Sequence, residues 1–156
     1  MKKILLFAVI LLVAVAWAVP SNHTADLMPA AISGEIPSSA EGLTLTIAPD
    51  RIASIEEPMT LMLTTDSETR SEVFGSSCAM EANINGTWYT IPFLVPDGSR
   101  LFWVAMRYSV QRSYPFSQEA YIPGKYHFTD GEYRVVKEIG GLTLAAPFTI
   151  DSTLSK

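Results

Sequence analysis

The sequence predicts an all-β domain, an antiparallel sandwich of about seven strands, and three observations carry that prediction. From Leu43 onward, apolar and polar side chains alternate with a period of two in one run after another. Turn-forming residues interrupt these runs roughly every ten positions. No helical period of useful length follows residue 42. With 156 residues, 48% of them apolar, the chain has room for one such domain with a substantial core. A small closed barrel is the alternative architecture.

Leu43, Leu45 and Ile47 face one way in the first strand, with Thr44 and Thr46 opposite, and Pro49-Asp50 ends it. Met59, Leu61 and Leu63 alternate with Thr60, Met62 and Thr64 in the second. After a polar stretch, Cys78, Met80, Ala82 and Ile84 share a face of the third strand. Asn85-Gly86, a dipeptide that readily takes the positive φ angles of a type I′ turn, folds it onto a fourth that carries Trp88. In "RLFWVAMRYSV", Phe102, Val104, Met106, Tyr108 and Val110 point one way and Leu101, Trp103, Ala105, Arg107 and Ser109 the other. "QEAYIPG" reads as a short edge strand, and "GEYRVVKEI" and "LTLAAPFTI" as a final pair around Gly140-Gly141.

The N-terminus supplies the compartment. Lys2 and Lys3 precede an uninterrupted apolar run from Ile4, followed by the small-x-small site Ala16-Trp17-Ala18, which is the pattern of a signal peptide over residues 1–18. As a helix, Ile4 to Val19 spans roughly 24 Å, short of a ~30 Å hydrocarbon core. A membrane tether therefore arises only if this segment stays uncleaved. Residues 19–42, rich in proline and small side chains and without a period, read as a flexible linker. The sandwich is expected over residues 43–150 and a short tail over 151–156.

Charge and cysteine content narrow the functions. The net charge of −5 becomes −7 once Lys2 and Lys3 leave with the signal peptide, and the remaining basic residues are scattered, so nucleic acid is not an expected partner. Cys78 is the only cysteine, so no internal disulfide forms, and its place on an apolar strand face predicts a buried, inert thiol. His23 and His127 have no partners at catalytic or metal-ligand spacing. Nucleophile elbows, phosphate-cradling loops and zinc-protease helices are absent from the sequence. Glu56-Glu57 and Asp66-Ser67-Glu68 are oxygen-rich, yet their spacing specifies no calcium site and they read as solvated loop charge. The sequons at Asn22 and Asn85 carry little weight, the second lying in a tight hairpin. No enzyme activity, metal or cofactor is expected.

Three stretches carry a resemblance. Asp130-Gly131-Glu132-Tyr133-Arg134-Val135 is similar to the start of the sixth strand of immunoglobulin-like domains, in which the tyrosine hydroxyl bonds back to nearby backbone and the cysteine two residues on is here Val135. Together with "NGTWYTIP" at Asn85 to Pro92, and "PGKY" followed by "GEYRVVKE", it resembles bacterial immunoglobulin-like domains of exported proteins over residues 43–150. That resemblance implies an immunoglobulin-like sandwich at or beyond the membrane, and no catalytic residues to carry over. Trp88, Tyr133, Val135 and Cys78 are then structural.

An aromatic group remains as a binding candidate: Leu101 and Trp103 on one strand face, with Tyr114, Phe116 and Tyr121 in the following loop. Clustered on a sandwich edge, they form a patch for an unidentified protein or glycan partner. The expected function is a non-catalytic interaction or structural module, exported to the cell envelope or exterior. The alternative is a small secreted effector that inhibits a hydrolase through a protruding "YPFS" or "VPDGS" loop.

Overall fold

The structure, a computed structural model, describes residues 27–68, 72–92, 108–110, 116–120 and 127–155. Within them run twelve strands: β1 (Met28–Pro29), β2 (Ser39–Ala40), β3 (Leu43–Ala48), β4 (Arg51–Ile52), β5 (Thr60–Thr65), β6 (Glu72–Phe74), β7 (Ala79–Ile84), β8 (Thr87–Ile91), β9 (Tyr108–Val110), β10 (Phe116–Glu119), β11 (Gly131–Ile139) and β12 (Leu142–Ile150). A six-stranded sheet, ordered β1-β8-β7-β11-β12-β4, packs against a four-stranded sheet, β10-β5-β3-β2, and β6 pairs with β9 separately. All pairings are antiparallel except β4 with β12, which is parallel. This is an immunoglobulin-like β-sandwich.

Alternation decides which side chains form the core. Leu43, Leu45 and Ile47 of β3 and Leu61 and Leu63 of β5 meet Met80 and Ala82 of β7, Val135 and Ile139 of β11, and Leu144, Ala146 and Phe148 of β12. Thr44 and Thr46 of β3 and Thr60 and Thr64 of β5 turn outward, because successive strand residues point to opposite faces, while Thr65 continues the inner face of β5. Burying a side chain such as Leu61 stabilises the fold by roughly 1.5–3 kcal/mol.

Three two-residue turns set the registers. Asn85-Gly86 links Ile84 to Thr87, Gly140-Gly141 links Ile139 to Leu142, and Glu41-Gly42 links Ala40 to Leu43. Both residues of each turn have positive φ, the geometry that matches the right-handed twist of the flanking strands. At Gly42 a Cβ would also meet the Asp66 carboxylate, an exposed side chain that can swing aside, so the positive φ is the stronger demand for glycine.

The N-terminal segment departs from the linker expected over 19–42. From Leu27 on it is part of the domain, while residues 1–26, with the signal peptide, lie outside the described residues. Strand β1 extends the six-stranded sheet beside β8, and Leu27 and Ala30 are buried. The chain then crosses the outer face of that sheet, reaches β12, whose Ala145 N–H donates to Pro37 O (3.0 Å), and joins the other sheet as β2. We call residues 27–38 the strap. It crosses strands for much of its length, and its described tertiary hydrogen bonds rest largely on its own carbonyls. Hence its sequence shows neither a strand nor a helix period.

Candidate functional site

Of the five residues expected to form an aromatic patch, Leu101, Trp103, Tyr114 and Tyr121 lie outside the described residues. Phe116 is half-buried on β10, its ring edge-on to Phe74 with centroids 4.9 Å apart, and it packs against the core. It is a core-margin residue and not an exposed one.

Strand β11 organises what the structure offers instead. Tyr133 faces inward, its ring stacked on Phe148 (5.4 Å) and beside Phe128 (5.5 Å). Its hydroxyl donates to Thr129 O (2.7 Å) and accepts from Thr129 N–H (3.1 Å), closing a tyrosine corner. Burial pushes the phenol up, against the opposing pull of those Thr129 bonds. Val135, two residues on, sits between Met80 and Ala146 in neighbouring strands and fills by packing the place of a disulfide cysteine.

Lys137 points to the same inner face, only 1% exposed. Its ammonium donates to Gly75 O (2.7 Å) and Ser77 O (3.1 Å) and lies 5.3 Å from the Phe74 ring and 5.7 Å from that of Phe116. Two carbonyls and two ring faces thus take up a charge that burial alone would expel. Desolvation lowers its pKa, while Cys78 nearby pulls the other way. Cys78 is half-buried and packs against the core, with Gln118 Nε2 3.9 Å from Sγ. Burial pushes the thiol above its ordinary value, more than the Lys137 ammonium lowers it, so the thiolate needed for nucleophilic work is disfavoured.

Arg134 is buried on the opposite, outer face. Its Nε donates to Glu81 Oε2 (2.7 Å), directly across the β7 ladder, and its terminal nitrogens donate to Ile32 O (2.7 Å) and Gly34 O (2.8 Å) of the strap. Its guanidinium also lies 4.1 Å from the Trp88 ring centroid. A planar fork of donors suits this demand, in which one side chain must satisfy a carboxylate and two carbonyls at once.

The strap leaves a groove on each side of Ile36. One, about 450 Å³, is lined by Trp88, Arg134, Pro147 and the strap residues Glu35, Ile36 and Pro37. The other, about 340 Å³, lies over Val136, Thr143 and Glu138, with Ile32 and Ile36 as its strap wall. Trp88 therefore lines a groove as well as supporting Arg134.

Sequence reasoning missed Arg134, Glu81 and Lys137. The available signal was one cation on each face of a strand whose apolar residues are Tyr133, Val135, Val136 and Ile139. The other candidates stay apart. His127 is exposed, and no group of three or more metal-ligating side chains occurs among the described residues. Glu57 closes its own turn, accepting from Ala53 N–H (2.7 Å) and Ser54 N–H (3.1 Å). No helix among the described residues is long and apolar enough to cross a membrane.

No curated protein and no solved structure matches the chain significantly. The family model described as bacterial Ig-like domain matches residues 39–149, most of the chain and nearly all of both sheets, and the protein belongs to that family.

Proposed function

We propose that this chain is a non-catalytic module exported to the cell envelope or exterior, where it binds a partner through the surface of its sandwich. The observation that carries this reading is the use to which the buried ionisable groups are put. Arg134 and Glu81 hold the strap, and Lys137 holds the Gly75–Ser77 turn, so their polar atoms are engaged in the fold rather than converging on a cleft. The open surface lies beside the strap, in the two grooves. The signal-peptide pattern of residues 1–18 supports export, and membership of the Ig-like family supports a modular role. Of the two loops that a hydrolase inhibitor would insert, "VPDGS" lies outside the described residues, while in "YPFS" Phe116 and Ser117 belong to β10 and Phe116 packs against the core, so no observation favours that reading.

Fractionation of the producing cells, followed by crosslinking capture on the full chain, tests the proposal. Recovery of a processed protein outside the cytoplasm, crosslinked to a specific envelope or extracellular component, is the expected result. Retention of the unprocessed chain in the cytoplasm contradicts export, and crosslinking to nothing above background contradicts the interaction role.

A further inference from the structure

The geometry points to the outer face of the six-stranded sheet, on either side of Ile36, as the docking surface for an extended cationic peptide segment with apolar side chains. This rests on the interaction-module reading and gives that module a surface and a partner chemistry.

Shape comes first. The strap divides the face into two adjoining grooves whose walls are the Trp88 ring, Pro37, Pro147, Ile32, Ile36 and Val136. An extended segment alternates its side chains, so neighbouring residues could enter both grooves while its backbone crosses Ile36. Aromatic and proline walls of this kind favour extended, proline-tolerant ligands over helices.

Charge then selects the partner. Both described cations of this face are already paired, Arg134 with Glu81 at 2.7 Å and Arg51 of β4, at the sheet's edge, with Asp151. Glu35 and Glu138 stand exposed at the two grooves, and neither carboxylate has a hydrogen-bond or ion-pair partner among the described residues. Among the described residues, the carboxylate of Glu132, on the same face, takes only a hydrogen bond from Asn83 Nδ2 (2.9 Å). The face therefore carries a surplus of negative charge next to apolar walls, on a chain whose net charge is already −5. A cationic segment is attracted and an acidic one repelled. The strap lies ahead of the residues matched by the family, 39–149, so this specificity is not one the family supplies.

The test uses the purified full chain and two capped synthetic peptides, a Lys-Pro-Val repeat and its Glu-Pro-Val counterpart. NMR titration at low salt is expected to move the Trp88 indole N–H and the amides of Glu35, Ile36 and Glu138 with the lysine peptide only. The double variant Glu35→Lys/Glu138→Lys changes two exposed side chains and is expected to retain the fold while weakening that binding by about tenfold or more. Added salt should weaken the wild-type complex in the same direction. Three results overturn the proposal: no shifts at the grooves, equal binding of the glutamate peptide, or unchanged affinity in the folded double variant. Crosslinking capture separates this failure from that of the broader reading. A partner captured equally by wild type and double variant removes this surface and leaves the module. No partner with either protein, together with no peptide shifts, removes both.

Discussion

Strand β11 carries one buried cation on each face, and the two are held in opposite ways. Arg134, on the outer face, is part of an ion pair, and its remaining donors fasten a separate segment of chain across the sheet. Lys137, on the inner face, sits among carbonyls and phenyl rings at the margin of the core. Loss of Arg134 strands a buried carboxylate and releases the strap. Loss of Lys137 leaves two backbone oxygens, and Gly75 and Ser77 both have some access to water. Equal burial therefore carries unequal consequences, and the partner left behind decides the size.

The same substitution at both positions exposes the difference. Arg134→Met should destabilise the protein by about 3–5 kcal/mol, read as a lowered denaturation midpoint, because the Glu81 carboxylate stays buried without its counter-ion. Glu81→Leu added to Arg134→Met should recover part of that loss while leaving the strap loosened. Recovery of none of it would place the cost in the strap alone.

On the inner face, Tyr133→Phe tests the corner. Thr129 is exposed, so its backbone groups find water once the hydroxyl is gone, and the expected cost is about 0.5–1.5 kcal/mol. An unchanged midpoint would show that ring stacking alone holds this corner.

Lys137→Met should cost less, about 1 kcal/mol or below at neutral pH, since removing a desolvated charge offsets the lost carbonyl bonds. Its pH dependence is the sharper reading. The buried amine loses its proton below the ordinary lysine value of 10.5, so in that interval the unfolded chain binds more protons and stability rises with pH. Cys78 and Tyr133, with raised folded values, act oppositely: the unfolded chain ionises first, and stability falls as pH climbs past 9.0 and 10.0. In a Cys78→Ala background, wild-type Lys137 should therefore gain stability relative to Lys137→Met between neutrality and 10.5. Parallel curves would contradict a lowered Lys137 pKa.

The smallest effect belongs to a second arginine–carboxylate pair, Arg51 with Asp151, which lies at the surface. Asp151 is held at about 2, first by the Thr153 hydroxyl and then by Arg51 and the Thr153 N–H. Its contribution is present above the ordinary value of 3.8 and is lost as pH falls through 2. Solvent screens it, so Asp151→Asn should move the neutral-pH midpoint far less than Arg134→Met. A comparable shift would overturn the distinction between buried and exposed pairs.

What the sequence made legible was whatever repeats along a strand. The inner faces of β3, β5, β7 and β11, the Asn85-Gly86 turn and the Tyr133 motif all announce themselves by period or dipeptide. The Glu41-Gly42 turn did not, because it joins a two-residue strand to the next and lacks a flanking pattern. The strap was read as linker because its hold on the domain depends largely on carbonyls that every residue possesses, accepting from Arg134 about a hundred positions away. For the same reason Arg134 and Lys137 looked like ordinary strand polar residues. The grooves share this origin, since they exist only where the strap lies over the sheet.

Hydrogen exchange at the Ala30 amide tests the central claim most directly. That N–H donates to Trp88 O (3.0 Å) at the point where the strap leaves β1. A strap built into the domain predicts protection of Ala30 well above an open chain, and its loss in Arg134→Met while Val135 in the core stays protected. Exchange of Ala30 at the rate of an unstructured peptide in the wild-type protein would contradict the account, returning residues 27–38 to a linker and removing the groove walls with them.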